Sequence, residues 1–432
     1  MASPPSTTTT TVAAFLLLLH TAIIARSQPY IGVNYGLVAD NLPPPSASAK
    51  LLQTTSIGKV RLYGADPSVI KALANTNIGI TIGAANSDIP SMAADVTFAK
   101  SWIGSNVLPY YPASKIILIN VGNEVLQYGT PELKTQLLPA MKNMQSALDE
   151  LSLGGKIKVS TVHSMSVLGQ SEPPSAGRFD PGVVDLLKGL LEFNKESGSP
   201  FLINPYPFFA YQTDPRPETL AFCLFQPNAG RPDSGTNVKY MNMFDAQVDA
   251  VRAALNAMAF NDVEIVVAET GWPYKGGDDE AGATVENAKA YNGNLVAHLR
   301  SMVGTPLMPG KSIDTYLFAL YDEDLKPGKP SERAFGIYNV DLTPIYDAKL
   351  AGSQGGLANA PTPTISPPAD APTTSGATTP PTNSSTATTP PSSTTPRDSP
   401  TARVNASKNA ASLDKMSAGF FIVVSLVVAS ML

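Results

Sequence analysis

Eight short apolar runs recur between residues 28 and 350: 30–36 (YIGVNYG), 59–64 (KVRLYG), 79–86 (GITIGAAN), 115–124 (KIILINVGNE), 156–164 (KIKVSTVHS), 200–207 (PFLINPYP), 263–271 (VEIVVAETG) and 314–323 (DTYLFALYDE). Runs of this length, rich in Val, Ile, Leu and Tyr and bounded by turn-forming residues, predict strands. Helix-like patterns lie between several of them. In 130–151 (TPELKTQLLPAMKNMQSALDEL), Thr130 is placed to cap a helix and Pro131 to occupy its first position. Pro139 inside the same pattern predicts a kink or a break. Apolar strands alternating with helices over about 320 residues predict an α/β fold, a (β/α)8 TIM barrel. An open doubly wound sheet is the alternative, but the first strand-to-helix turn, GVNYGLVADNLP, has no G-x-G-x-x-G phosphate loop.

Outside this region the pattern changes. Residues 12–25 (VAAFLLLLHTAIIA) form an apolar stretch of signal-peptide length, followed by small residues before Gln28, although the leader carries no positive charge. Residues 1–27 are therefore expected to be a signal peptide. From 351 to 411 the chain is rich in Pro, Ser, Thr and Ala, and Ile365 is the only aliphatic larger than alanine between 361 and 400. Such a segment cannot bury enough apolar surface to offset chain entropy, so a disordered, glycosylated stalk is expected. It contains sequons at Asn383 and Asn405. Residues 412–432 end in the apolar stretch 418–432 (AGFFIVVSLVVASML), preceded by a polar spacer and by small residues. That layout predicts a removed GPI-attachment signal, with Asn409 as the first candidate attachment residue and Ser407 and Ser412 as alternatives. A tail-anchored helix is less favoured, since about 15 residues fall short of the ~20 that span a bilayer.

Composition narrows the function. The chain has 432 residues, a formal net charge of −5 and 15% charged residues, which gives no electrostatic case for nucleic acid, a partner that would call for a basic face. Cys223 is the only cysteine, which excludes an intramolecular disulfide and predicts a small buried apolar side chain. Of the three histidines, His163 and His298 follow the leader, and neither has metal-ligand company; structural roles are expected. No G-x-S-x-G nucleophile elbow is present. Neither a metal nor an organic cofactor is expected.

The candidate chemistry lies where two runs stop. IILINV (116–121) runs into Gly122, Asn123 and Glu124, and IVVA (265–268) into Glu269. Most of the 35 acidic residues must be solvated surface charges, but few follow runs as apolar as these, where an unpaired carboxylate is costly to bury. In a barrel, the C-terminal ends of strands line one face, so the ends of the fourth and seventh runs can meet. Two carboxyl groups in a cleft suit glycoside hydrolysis, one protonated to assist the leaving oxygen and one ionised to attack the anomeric carbon.

The stretches GVNYG, RLYG, VGNE, NPYPFF, ETGWP and ALYDEDLKPGKPSERAFGIY, in this order across about residues 29 to 350, resemble the plant endo-1,3-β-glucanases of glycoside hydrolase family 17. The resemblance implies a (β/α)8 fold and a retaining mechanism on 1,3-β-glucan such as callose, with Glu124 as general acid/base and Glu269 as nucleophile. It further implies that Tyr35 lines the cleft beside the nucleophile and that Asn123 bonds a sugar hydroxyl. Glu323, Lys326 and Glu332 are expected as a charged cluster beside the pair, with Tyr206, Phe208 and Trp272 among the substrate-binding residues; core packing is the alternative for Tyr206 and Phe208, evenly balanced for Phe208. Asp322 stands where the family commonly has Asn. The expected protein is a monomer, secreted and held by a GPI anchor at the outer face of the plasma membrane and the cell wall. Two alternatives stay open: a hydrolase of mixed 1,3;1,4-β-glucan, and a non-catalytic glucan-binding protein on an inactive barrel.

Overall fold

The computed structural model describes residues 31–352. The expected signal peptide, stalk, sequons at Asn383 and Asn405, and anchor residue Asn409 lie outside the described residues.

Eight parallel strands close into a barrel in sequence order, β1 Ile31–Asn34, β2 Lys59–Arg61, β3 Gly79–Ala84, β4 Lys115–Asn123, β5 Lys158–Ser164, β6 Phe201–Asn204, β7 Ile265–Thr270 and β8 Thr315–Leu317. Closure is made by β1 on β8, with Ile31 opposite Thr315 and Val33 opposite Leu317. Every expected run contributes its strand. The crossovers carry α1 Pro45–Gln53, α2 Pro67–Ala72, α3 Val96–Asn106, α4 Pro131–Glu150, α5 Val184–Ser197, α6 Met243–Ala257 and α7 Val285–Arg300. Thr130 caps α4 by accepting from the Leu133 amide, and α4 passes through Pro139 as one helix rather than breaking there.

Alternation of side chains along each strand builds two cores. Leu118, Val162, Leu202, Val266, Ala268 and Tyr316 fill the barrel interior. Residues of opposite parity, among them Ile31, Val33, Ile119, Val121 and Val267, pack outward under the helices. The interior apolar layer forms a floor, and polar residues at the C-terminal strand ends stand above it.

His163 lies in β5, stacked on Phe201 at 4.7 Å, where burial pushes its pKa down to about 3 and keeps it neutral. His298 pairs with Asp245 at 2.9 Å. Cys223 is buried, and burial pushes its thiol up to about 12, as a small apolar residue would be placed.

Candidate active site

Strict alternation would send Glu269 outward. Val266 and Ala268 face the interior and Val267 faces the helices, so position 269 should follow Val267. Between Val267 opposite Thr315 and Thr270 opposite Leu317, however, three residues of β7 span two of β8. This β-bulge inserts one residue and reverses the parity. Thr270 consequently turns outward, its hydroxyl bonded to Tyr291 on α7 at 2.5 Å. Glu269, only 8% exposed, turns into the barrel mouth.

The end of β4 carries the same device. Asn120 pairs with Ser160 and Asn123 with Val162, again three residues against two. Gly122 takes φ +70°, and a Cβ there would lie 2.7 Å from Val125 and 2.8 Å from Ile89. The glycine is thus required both by its left-handed backbone and by close packing. Glu124 is itself left-handed at φ 54°, an uncommon conformation for a residue with a side chain. Its amide remains tied to Val162 O at 2.9 Å. A strand ends on Gly-Asn-Glu because these residues stop the alternation and aim Asn123 and Glu124 over the floor.

One buried cation joins the two strand ends. Arg61, at the end of β2 and 1% exposed, donates through Nη1 to Glu269 Oε1 at 2.7 Å and to Asn34 Oδ1 at 2.8 Å. Its Nη2 donates to Asn123 Oδ1 at 2.8 Å. Burial opposes the charge, but Tyr63 and Glu269 raise the guanidinium pKa above its ordinary value. The Tyr63 ring lies 4.5 Å from the guanidinium. The other oxygen of Glu269 accepts from the Tyr206 hydroxyl at 3.0 Å. Burial and the nearby Glu269 push that phenol well above its usual pKa, so it remains a donor.

Glu124 has different company. Its Oε1 accepts from Asn204 Nδ2 at 2.8 Å. Burial, then the negative charge of Glu269, raise its pKa to about 7, against the smaller opposing effects of Asn204, Arg61 and Lys326. Glu124 is therefore held toward its protonated form beside a second carboxyl tied to a guanidinium and a phenol, an arrangement suited to an acid beside a nucleophile.

The charged cluster is assembled on the segment after β8. Lys326 pairs with Glu332 at 3.0 Å, and its ammonium lies 4.5 Å from the Phe318 ring. Burial opposes the charge on Lys326, but Glu332 and Glu323 outweigh it and raise its pKa. Glu323 is 5% exposed, accepts from the Val38 amide at 3.0 Å, and is raised by burial against the pull of Lys326. Gly36 makes room for it, since a Cβ there would lie 2.1 Å from the Glu323 carboxyl carbon.

Several expected substrate contacts are corrected. Tyr35 does not line the cleft: it is 2% exposed, its hydroxyl is bonded to Ser48 on α1 at 3.0 Å, and its ring packs edge-on against Tyr321. Asn34, the preceding residue, has the inward parity. Phe208 is fully buried, edge-on to Trp272 at 5.3 Å. Trp272 is also fully buried, its indole nitrogen donating to Gly282 O at 2.8 Å. Neither ring can offer a face to a sugar. Tyr206 reaches the site through its hydroxyl, while its ring is edged by Phe318 and Phe335. Asn123 uses its carbonyl oxygen on Arg61, leaving its amide nitrogen available to a ligand. The Asp322 carboxylate is taken up by the Tyr274 hydroxyl at 2.5 Å and the Gly336 amide at 2.8 Å.

Asn34, Arg61 and Asn204 were not singled out from sequence. Each is a polar residue at the C-terminal end of an apolar barrel strand. The rule that marked Glu124 and Glu269 would have found all three. Among the described residues there is no cluster of His, Cys, Asp and Glu that could hold a metal ion.

The family model described as "Glycosyl hydrolases family 17" matches residues 31–350. The chain is 69% identical over 329 residues to "Glucan endo-1,3-beta-glucosidase 7" of Arabidopsis thaliana, covering 76% of this chain and 65% of that protein. It is 58% identical over 345 residues to "Glucan endo-1,3-beta-D-glucosidase" of Olea europaea, covering 80% and 75%. The match thus spans a little less than two thirds of the length of the first relative. A solved structure of a β-1,3-glucanase and pollen allergen of Cryptomeria japonica is similar at a TM-score of 0.70 and 41% identity, over 74% of this chain and 99% of that one.

Proposed function

The chain belongs to glycosyl hydrolase family 17, and from that premise we propose that it hydrolyses internal 1,3-β-D-glucosidic linkages of glucan with retention of configuration. The observation that carries this reading is the unlike pair: Glu124 raised to about 7 beside Glu269, which is held by Arg61 and Tyr206. In the first step Glu124 gives its proton to the glycosidic oxygen while a Glu269 oxygen attacks the anomeric carbon. The carbon–oxygen bond breaks, and the sugar becomes an ester of Glu269. Esterification removes the negative charge that raised Glu124, so its pKa falls and its carboxylate can take a proton from water. That water attacks the same carbon, and Glu269 leaves ionised. Arg61 and Tyr206 stabilise Glu269 as a carboxylate before attack and again as it departs.

The 1,3 linkage is supported by the relatives in Arabidopsis thaliana and Olea europaea, whose names specify it. The test is product analysis on linear 1,3-β-glucan and on mixed-linkage 1,3;1,4-β-glucan. Rapid fall in chain length of the linear polymer, with β-anomers released first, is expected. Preferential cleavage of the mixed polymer would favour the alternative hydrolase, and binding without cleavage would favour an inactive barrel.

The proposal extends to location: a secreted protein held by a GPI anchor at the cell surface. It is supported by the apolar stretches 12–25 and 418–432 and by the small residues and polar spacer before the second. Phosphatidylinositol-specific phospholipase C should release the protein from membranes; retention after effective treatment would count against the anchor.

A further inference from the structure

Glu280 is a buried carboxylate, 6% exposed, that takes no part in the chemistry above. It belongs to the loop between β7 and α7 but reaches into the segment after β8. Its Oε2 accepts from the Gly277 amide at 2.8 Å and from the Ser331 amide at 3.0 Å. Its Oε1 is bonded to the Ser331 hydroxyl. All three partners can donate, which suits an acceptor-only carboxylate; an amide would turn an N–H group toward a donor.

The loop carrying Glu280 is fixed from three sides. Trp272 Nε1 and Asn287 Nδ2 both donate to Gly282 O, at 2.8 and 2.9 Å. Gln212 Nε2 donates to Ala281 O at 2.5 Å. The segment it grips is tied internally, with Arg333 Nη1 donating to Lys326 O at 2.9 Å and to Gly328 O at 3.1 Å. Ser331 immediately precedes Glu332, the partner of Lys326.

We propose that Glu280 is a positioning residue, a latch from the β7–α7 loop to Ser331 that holds the Lys326–Glu332 pair against the two catalytic carboxyls. It acts through Ser331 and touches no substrate. This inference rests on the hydrolase reading and deepens it. Loss of the latch lets the 326–333 segment retreat, and the positive charge of Lys326 retreats with it. Glu124 then faces Glu269 from β7, Arg61 from β2 and the Asn204 amide from β6, with less of the Lys326 charge that opposed its rise. The basic limb of the pH–rate profile should therefore move to higher pH.

The full chain is assayed as wild type, Glu280→Gln, Glu280→Ala, Ser331→Ala and the double variant Glu280→Ala/Ser331→Ala. Lys329→Ala serves as a control, because it breaks only the exposed Lys329–Asp279 bridge between the same two segments. On linear 1,3-β-glucan, Glu280→Ala should lower kcat by about 10- to 100-fold with a smaller change in KM, and shift the basic limb upward. Glu280→Gln should retain part of the lost rate. Ser331→Ala, which keeps its amide, should show a weaker effect, and the double variant should be no worse than Glu280→Ala. Lys329→Ala should match wild type. Folded Glu280 variants with wild-type kcat and pH profile, even at lowered Tm, would overturn the latch. If both Glu280 variants fail to fold, Ser331→Ala decides alone: an unmoved limb and unchanged kcat overturn it. An inactive wild type would instead sink the hydrolase reading.

Discussion

The ends of β4 and β7 look alike in sequence and behave oppositely in the fold. Each is an apolar strand that stops on a glutamate, and each reaches the barrel mouth through one bulged residue. Their surroundings then diverge. Glu269 has a fixed guanidinium on one oxygen and a phenol on the other. Glu124 has a single neutral amide donor and the negative charge of its neighbour. The same residue at equivalent strand ends meets unlike surroundings, because charge and hydrogen bonding are distributed unequally, and the proposed mechanism uses that difference by taking Glu269 as nucleophile and Glu124 as acid.

Removing either carboxylate should have the largest effect. Glu269→Ala is expected to lower kcat on 1,3-β-glucan by on the order of 10⁴-fold or more, with Glu124→Ala close behind on the polymer and much less damaging on an aryl glycoside with a good leaving group. Steady-state kinetics on both substrates reads the difference. Arg61→Ala comes next. It leaves Glu269 without its cation, and kcat/KM should drop about 10²- to 10³-fold, with Arg61→Lys a poor substitute because an ammonium cannot reproduce the fork to Asn34, Glu269 and Asn123. Tyr206→Phe removes one donor to an ionised oxygen and should cost roughly 10-fold in kcat.

The smaller effects concern pH. The proposed mechanism requires protonated Glu124, so kcat/KM should fall as pH rises through about 7. Asn204→Ala removes a donor that favours the ionised form, and this basic limb should move upward with little change in the plateau rate. Stability should follow the same group. Its folded pKa lies above the ordinary 4.5, so its contribution is complete below 4.5 and is lost between 4.5 and about 7. Glu124→Gln should therefore gain about 1–2 kcal/mol over wild type at pH 8 and little at pH 4, as read by thermal melts at both pH values; the figure is small because the carboxyl keeps some contact with water.

The strands and the two glutamates were legible because an apolar run ending in a carboxylate is a local signal. Thr130 and Pro131 likewise marked the start of α4. Tyr35 was misplaced although plain alternation decides it: Ile31 and Val33 face outward, so Tyr35 does too, and Asn34 takes the inward position. Phe208 and Trp272 show a different limit, since an aromatic residue suits either a sugar face or a core and residue type does not distinguish them. The bulges had no sequence signature at Glu269, where only the pairing of β7 with β8 reveals the extra residue. At Glu124 the left-handed Gly122 left a trace, but its meaning needed Val125 and Ile89 in place. The raised pKa of Glu124 was least legible, because Glu269, Asn204, Arg61 and Lys326, which set it together with burial, come from distant parts of the chain.

The unequal pair is tested most directly by azide rescue of the two alanine variants on an activated 1,3-β-glucoside, with the anomeric configuration of each glycosyl azide read by NMR. With Glu269 absent, azide should attack the substrate from the vacated face and give the α-glycosyl azide, inverted relative to the β-linked substrate. With Glu124 absent, the sugar ester on Glu269 should form and wait, and azide should release the β-glycosyl azide with retained configuration. The opposite assignment of α and β products would exchange the roles of the two glutamates and contradict the account.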